Sequence, residues 1–373
     1  MSRILFLTTA HHYNDDRIFH HQAKALLAAG HTVKIVSLSS SYTGFLEGVE
    51  IESKDILSES TEKKKAFFCE IIEAFKPQCC ICSEPLAVVS ASTAHHQVKI
   101  IYDVTEWYPS RRMVSPYKGL SKIFHTVKFF LINVYAGFLS TSFIFGETTK
   151  MFPLASLFPW KNHLLLPYYP DEQYITYTQE TRKNKHLNLF YSGQFSEDKG
   201  VGSFLNAVAA LKRSRPDISL SVLLLGSARK KEDEIYFTEL LQKYPWPELT
   251  VQPGVAFEDF SKTYAHADLC FDLRAASFEN HRCLPIKIFY YMAGGKPVIY
   301  SDLMAINQHM DVSPFGHLVQ PDKPEEIAAI IASYADSPDL LHQHSLNARK
   351  LYTQYYHWGS VKDRFVEFIH QNI

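Results

Sequence analysis

The chain has 373 residues, a length typical of two domains, and 46% of them are hydrophobic. Its formal net charge of −1 argues against a general electrostatic attraction to nucleic acid. The six cysteines lack the paired spacing of a metal site, and no apolar run is long enough to span a bilayer. No signal peptide is recognisable. We therefore expect a cytoplasmic protein with reduced thiols.

The start of the chain predicts a βαβ unit. Residues 4–9 form a short apolar run, typical of a buried parallel strand. A helix is predicted from about 17 to 29, ended by Gly30, and a second strand over 33–38. Open α/β sheets bind ligands at the carboxyl ends of their strands, so loop 10–16 is a candidate site. It has no Gly-x-Gly-x-x-Gly, which argues against a dinucleotide.

This first loop is rich in ionisable side chains. It contains His11, His12 and Asp16, and Arg17 follows at the start of the predicted helix. A ligand site explains this composition, because polar loops at strand ends carry binding residues. An ordinary polar turn with an aspartate capping the helix explains it equally well.

A second candidate cluster follows the strand predicted over 98–104. This strand runs directly into Thr105, Glu106 and Trp107. Acidic and aromatic residues at the carboxyl end of a strand indicate a site. Glu106 is a candidate base or orienting carboxylate, and a carboxylate that caps the turn is the alternative.

Residues 117–139 combine lysines in their early part with many aromatic and aliphatic residues. A basic, aromatic helix of this kind can lie in a membrane interface. Asn133 and Gly137 interrupt the apolar run, so it does not span the bilayer. A long helix packed on the core of the first domain is the favoured interpretation, and both can hold for one helix.

A strand, a glycine-containing loop and a helix follow one another over 187–201. The strand over 187–192 feeds loop 193–200, and a helix begins at about 201. This order is typical of phosphate sites, although the spacing is not that of a P-loop. Lys199 lies at the helix start, where a cation is unfavourable without an anion nearby. It is therefore a candidate phosphate ligand rather than an ordinary solvated lysine.

The segment 284–299 predicts a short helix followed by a buried strand. Pro285 suits the start of the helix, and Gly294 and Gly295 its end. Pro297 then prevents further helix. A helix N-terminus beside strand ends is a site for an anionic ligand, because its N–H groups lack partners within the helix.

Taken together, these motifs resemble those of the retaining GT-B glycosyltransferases of family 4, the glycosyl transferases group 1. The resemblance implies an α/β fold with two Rossmann-like, doubly wound parallel-sheet domains that face a cleft. It places an acceptor-side domain at 1–168, a linker at 169–186 and a donor domain at 187–355. The final helix, about 356–373, packs back on the first domain. The segments that carry the resemblance include Asp16-Arg-Ile18, Asp103 to Pro109, Gly193 to Gly200 and Met292 to Ile299.

The resemblance also implies roles for individual residues. The catalytic candidates are Lys199, Glu106 and Asp16. The donor-binding candidates are Gly193, Gln194, Lys199, Arg274, Glu279, Pro285, Lys287 and Tyr290. The acceptor-side candidates are His11, His12, Arg17, Thr105 and Trp107. Three of these depart from the family pattern, because Gln194 stands for an arginine, Thr105 for a histidine and Tyr290 for a glutamate.

The implied activity is the transfer of a sugar, with retention, from a UDP- or GDP-sugar to a glycan or lipid-linked acceptor. The resemblance implies no metal and no cofactor besides this co-substrate, and a role in cell-surface polysaccharide or glycolipid synthesis. A catalytically silent scaffold and a UDP-sugar 2-epimerase-like isomerase are the alternatives. No nucleic-acid partner is expected. Contact of 117–139 with the inner face of the membrane would make the cytoplasmic protein peripheral.

Overall fold

A computed structural model describes residues 1–178 and 185–373. Contacts divide the chain into two compact units. The first contains Met1–Tyr168 and Gly359–Ile373, and the second contains Tyr169–Trp358. Residues 179–184, part of the predicted linker, lie outside the described residues.

The first unit is built on a mixed sheet with strand order β3-β4-β2-β1-β5-β6-β7-β8. All neighbouring pairs are parallel except β3 and β4, which form an antiparallel pair at the edge. The central strands are buried over almost their whole length, which is typical of a parallel sheet covered on both faces. The strands are β1 (Arg3–Thr8), β2 (Thr32–Ser37), β3 (Tyr42–Leu46), β4 (Val49–Ser53), β5 (Cys79–Cys82), β6 (Lys99–Val104), β7 (Ser142–Phe145) and β8 (His163–Leu165).

The helix predicted after β1 begins as a π-helical segment, Asp16–Ala23. The side chain of Asp15 caps it by accepting hydrogen bonds from the backbone N–H groups of Arg17 and Ile18. The helices of this part of the chain are α1 (Lys24–Ala28), α2 (Thr61–Phe75), α3 (Pro85–Ala91), α4 (Arg111–Val114), α5 (Gly119–Leu139) and α6 (Leu154–Leu157).

The second unit has a parallel sheet with strand order β11-β10-β9-β12-β13-β14 among its described residues. The strands are β9 (His186–Gln194), β10 (Ser219–Ser227), β11 (Leu249–Gln252), β12 (Leu269–Asp272), β13 (Val298–Ser301) and β14 (Gly316–Val319). The helices are α7 (Val201–Ser214), α8 (Lys231–Lys243), α9 (Phe260–Thr263), α10 (Lys287–Ala293), α11 (Met304–His309), α12 (Pro324–Asp336) and α13 (Pro338–Tyr355).

The last helix, α14 (Gly359–Gln371), belongs to the first unit. Its residue His370 contacts His31, with the two Nε2 atoms 2.8 Å apart.

The described residues form two α/β units with doubly wound sheets, as the sequence predicts. The first sheet is mixed rather than fully parallel because of the β3–β4 hairpin.

Candidate donor and acceptor sites

The loop between β9 and α7 is held close to the end of β12. Gly200 has φ +81°, and a Cβ added there would lie 1.8 Å from the carbonyl oxygen of Leu273. Only glycine can therefore occupy this position without displacing the backbone. The close approach brings Lys199 to the loop that follows β12.

Lys199 contacts that following loop through its ammonium group. Its Nζ lies 3.3 Å from Asn280 Oδ1 and 3.4 Å from Asp198 Oδ2. The hydroxyl of Tyr191 donates to the Lys199 carbonyl oxygen at 2.9 Å. The lysine side chain is 37% exposed, so its ammonium is held in place yet remains accessible to an anion.

Lys287, the first residue of α10, places a second cation beside this loop. Its Nζ donates to the Ser192 carbonyl oxygen and lies 2.9 Å from where a Cβ on Gly193 would be. Burial lowers the pKa of Lys287 to about 8, against the opposing effect of Asp272. The carboxyl end of β9 and the loop after it are thus associated with two lysines, Lys287 at Ser192 and Gly193 and Lys199 within the loop.

Two other donor-side candidates are engaged by carboxylates. Gln194 donates from its amide nitrogen to Asp233 Oδ2 at 2.7 Å. Arg274 is buried and donates through Nε to Asp272 Oδ1 at 2.8 Å, with a second hydrogen bond from Nη2. Burial alone would raise the pKa of Asp272, but the Arg274 charge lowers it. The carboxylate thus balances much of the arginine charge.

Tyr290 lies inside an aromatic cluster. Its side chain is 5% exposed, and its ring meets those of Phe257 and Phe260 edge-on at 6.1 Å and 5.8 Å. Pro285 is buried and accepts the N–H of Ile288 through its carbonyl oxygen. The chain thus presents an aromatic ring at the position where the family pattern has a carboxylate.

Glu279 is half-buried on the loop after β12, at the start of a short 3₁₀ turn, Asn280–Arg282. Next to it, Phe278 is 66% exposed, and the Arg282 guanidinium lies 3.7 Å from the centre of its ring. This loop therefore carries both the Asn280 contact of Lys199 and a carboxylate.

In the first unit, the buried guanidinium of Arg17 binds to two other segments of the chain. Its Nε and Nη2 donate to the two carboxylate oxygens of Asp103 at 3.0 Å and 2.8 Å. Its Nη1 donates to the Leu166 carbonyl oxygen at 2.9 Å. The guanidinium also lies 4.0 Å from the centre of the Tyr168 ring. The side chain is 4% exposed. This acceptor-side candidate is therefore buried within the first unit.

His11 and Thr105, two acceptor-side candidates far apart in sequence, lie together. His11 Nε2 is 3.4 Å from Thr105 Oγ1, and its Nδ1 is 2.9 Å from Asp15 Oδ2. Burial alone would lower the pKa of His11, but the hydrogen bond and charge of Asp15 raise it to about 9. The loop after β1 therefore holds a histidine cation at the end of β6.

Glu84 is a buried residue of this site that the sequence interpretation missed. It accepts hydrogen bonds from the Thr9 and Ala10 N–H groups at 2.8 Å and 3.2 Å, and from the Thr8 hydroxyl at 3.0 Å. Its position directly after β5 and before the proline of α3 was the available signal, because acidic residues at strand ends indicate sites.

Glu106, Trp107 and His12 occupy more open positions than Arg17, whereas Asp16 is partly buried. Glu106 is paired with Arg112, whose Nη2 lies 3.1 Å from Glu106 Oε1. Trp107 is half-buried and His12 is exposed. Burial, followed by the charge of Asp15, raises the pKa of Asp16 to about 7. This carboxyl group can therefore exchange a proton near neutral pH.

The comparisons with known proteins concern both units. The family model described as Glycosyl transferases group 1 matches residues 186–337, most of the second unit. Sucrose-phosphate synthase from Thermosynechococcus elongatus has a similar structure, with 15% identity, a TM-score of 0.74, and coverage of 100% of this chain and 99% of that one. The chain has the GT-B fold.

A second GT-B structure is equally similar in extent. HepE of Anabaena, solved in complex with UDP-glucose, has 13% identity and a TM-score of 0.73, and both chains are covered completely at 100%. The glycosyltransferase from Rickettsia africae has 14% identity and a TM-score of 0.70, with 99% of this chain and 98% of that chain covered. No curated protein matches the sequence.

Across residues 1–178 and 185–373, no helix combines the length and the apolar composition that a bilayer crossing requires. In the same part of the chain, no group of three or more His, Cys, Asp or Glu side chains is arranged to hold a metal ion.

Proposed function

We propose that the chain is a retaining glycosyltransferase that moves a sugar from a UDP- or GDP-sugar to an acceptor hydroxyl. The observation that carries the proposal is a pair of lysines: Lys199 belongs to the loop after β9, and Lys287 Nζ lies against the start of that loop at Ser192 and Gly193. The match of residues 186–337 to the family model of group 1 glycosyl transferases supports it. So does the likeness to HepE, whose structure contains UDP-glucose.

In the proposed donor site, Lys199 and Lys287 bind the diphosphate. Two cations suit this role because the bond from the anomeric carbon to the phosphate oxygen breaks with its electron pair on the diphosphate. The neutral amide of Gln194 cannot supply the charge of the usual arginine. Lys287, whose Nζ lies beside Gly193, supplies it instead. Charge stabilisation by these side chains is consistent with a metal-independent reaction.

Ribose recognition uses Glu279 in this proposal. The position at which the family pattern has a glutamate is occupied by Tyr290, whose ring is buried against Phe257 and Phe260. Glu279 supplies a carboxylate on the loop that also contacts Lys199 through Asn280. A carboxylate can accept hydrogen bonds from the two ribose hydroxyls.

On the acceptor side, we assign Asp16 as the proton acceptor and Glu106 as an orienting carboxylate. The pKa of Asp16, raised to about 7 by burial, lies in the range where a base works efficiently near neutral pH. The acceptor oxygen forms its bond to the anomeric carbon on the face that the diphosphate leaves. Its proton passes to Asp16. His11 and Thr105 line the same strand ends and complete the acceptor pocket.

A donor panel tests this function. The purified chain is mixed with UDP- and GDP-sugars and a set of glycan and lipid-linked acceptors, with a chelator present, and nucleotide release is measured. The anomeric configuration of the product is read by NMR. We expect one nucleotide class to be consumed with retention. Lys199→Met should lower the rate at least about a hundredfold, and Lys323→Met, which removes an exposed lysine of the same unit, should not.

Other outcomes would reject the proposal. Failure to bind UDP or GDP would favour a silent scaffold, and interconversion of free UDP-sugars without an acceptor would favour an isomerase. Inversion at the anomeric carbon would contradict the retaining mechanism. An absolute requirement for a divalent metal would contradict the assignment of charge stabilisation to the two lysines.

A further inference from the structure

The helix α5 (Gly119–Leu139) is only partly used by the core. Of its 21 residues, Asn133, Ala136 and Gly137 are buried, and all lie in its second half. Asn133 accepts a hydrogen bond from the Tyr102 hydroxyl at 2.9 Å. Residues 118–124 are all exposed. The core therefore holds one end of the helix and leaves the other end extended along the surface.

The exposed side of α5 is apolar along its whole length. The spacing of these residues places them along one side of the helix. Their exposed fractions run from 51% at Val127 to 84% at Leu120. Seven side chains form this stripe: Leu120, Ile123, Phe124, Val127, Leu131, Tyr135 and Phe138.

A shallow hollow of about 390 Å³ lies in the middle of this stripe. All of its lining residues belong to α5, so within the described residues no other element closes over it. At about 1.5 Å per residue the helix is about 30 Å long. An apolar stripe of that length on a water-exposed helix indicates an interaction surface.

The charged residues in the sequence around the stripe are all basic. Between Glu106 and Glu147 the sequence contains no aspartate or glutamate, but it contains five basic residues, Arg111, Arg112, Lys118, Lys122 and Lys128. Lys118, Lys122 and Lys128 are exposed and lie at or within the N-terminal half of α5. The positive end of the helix dipole lies at the same end. The whole chain has a net charge of −1, so this concentration of positive charge is local.

The helix is also held firmly at its other end. Lys161 Nζ donates to the carbonyl oxygens of Gly137 and Phe138 at 2.8 Å and 2.7 Å. It also donates to the Ser140 carbonyl oxygen at 2.5 Å. These hydrogen bonds satisfy carbonyls that a helix C-terminus leaves without partners. The apolar stripe is therefore presented on a fixed element.

We propose that α5 docks the protein on the surface of a bilayer that contains anionic phospholipids. The apolar stripe enters the boundary between headgroups and acyl chains, and the flanking lysines remain among the anionic headgroups. A contact with α5 of a second copy fits less well, because residues 107–146 contain no aspartate or glutamate that could pair with the lysines of the partner. This inference is independent of the proposed sugar transfer.

Vesicle flotation of the full chain tests the proposal. Vesicles of phosphatidylcholine alone are compared with vesicles that also contain phosphatidylglycerol. We expect binding to the mixed vesicles and much weaker binding to the neutral ones. Replacing Lys118, Lys122 and Lys128 together with glutamine should lower partitioning into mixed vesicles on the order of a hundredfold. Added salt should weaken the binding of the wild type.

The apolar contribution is tested by Phe124→Glu combined with Leu131→Glu. Both side chains are exposed, so the fold tolerates the change, and partitioning should fall at least about a hundredfold. Phe45→Glu is the matched control, because Phe45 is 71% exposed on β3 at the opposite edge of the sheet from β8. It should leave vesicle binding unchanged.

Three results would overturn the proposal. The first is no binding of the wild type to mixed vesicles. The second is binding that does not depend as expected on anionic lipid or on the α5 side chains: either neutral and mixed vesicles bind the wild type equally, or the wild type and the α5 variants bind equally. The third is a dimer in sedimentation velocity that the α5 substitutions dissociate, because the stripe would then be a contact between copies. None of these results depends on nucleotide-sugar turnover, so they are distinguishable from failure of the proposed activity.

Discussion

The Nζ atom of Lys287 donates a hydrogen bond to the carbonyl oxygen of Ser192, at the carboxyl end of β9. This contact connects the first residue of α10 to the turn at Gly193. The ammonium is thereby fixed beside the turn that leads to Gln194. The start of α10 therefore contributes a positive charge at the end of β9, next to the neutral side chain of Gln194.

Lys287→Met should weaken the binding of UDP or GDP at least about tenfold, because the diphosphate loses a charge-assisted partner. Isothermal titration calorimetry measures this change. The wild type should also bind more weakly as the pH rises through about 8, because burial lowers the pKa of Lys287 to about 8 and the neutral amine carries no charge. The variant should lack this pH dependence. Equal affinities for both proteins would show that Lys287 does not contact the diphosphate.

Gly200→Ala should destabilise the second unit by roughly 2–4 kcal/mol and distort the candidate donor loop. The added Cβ would lie 1.8 Å from the Leu273 carbonyl oxygen, on a residue with φ +81°. Gly254→Ala is the control, since its Cβ would have no atom within 4 Å. Urea denaturation measures both. A similar, small effect of the two substitutions would show that the loop can move away from β12 at little cost.

Much of the fold and the donor loop follows from sequence pattern alone. Apolar runs followed by helical periodicity predict the parallel strands, and Lys199 at a helix start predicts an anion site. These signals are local, because each depends on residues that are neighbours in the chain. The side-chain partners of the same loop are not local. The pairing of Gln194 with Asp233 joins the end of β9 to the first turn of α8.

The arrangement of His11, Thr105 and Glu84, on the acceptor side, also could not be predicted from local sequence pattern. His11 and Thr105 are 94 positions apart, and only the neighbouring order of β1, β5 and β6 brings them together. Glu84 enters the cluster from the end of β5. A sequence can place each residue at a strand end, but the distances among them depend on strand order and register. The burial of Tyr290 likewise depends on rings at positions 257 and 260 that helical periodicity does not reveal.

Arg17→Met should destabilise the first unit by about 3–5 kcal/mol, because it leaves the Asp103 carboxylate buried without its bidentate partner. Arg17 and Asp103 are 4% and 1% exposed. Arg112→Met is the matched control: its pair with Glu106 is 65% and 37% exposed, so its loss should cost about 1 kcal/mol or less. Chemical denaturation followed by a probe in the first unit measures both. Equal losses of unfolding free energy would mean that the buried Arg17–Asp103 pair stabilises the fold no more than the exposed Arg112–Glu106 pair does.

The contact between His31 and His370 should make the attachment of α14 sensitive to acid. Burial, followed by the proximity of His370, lowers the pKa of His31 below its ordinary value of 6.5. The unfolded chain therefore takes up this proton first as the pH falls. The contribution of neutral His31 to the free energy of unfolding is complete above about pH 6.5. It is lost as the pH drops through the lowered pKa of His31.

Hydrogen exchange locates this effect. The amides of α14 should exchange faster at pH 5 than at pH 7.5, once the intrinsic dependence of exchange on pH is corrected. In His370→Gln the difference should shrink, because the substitution removes the charge of His370 that helps to lower the pKa of His31. His317, whose pKa burial also lowers, lies in the second unit, and His317→Gln should leave the exchange of α14 unchanged. Identical exchange of α14 at both pH values would contradict a proton-sensitive contact.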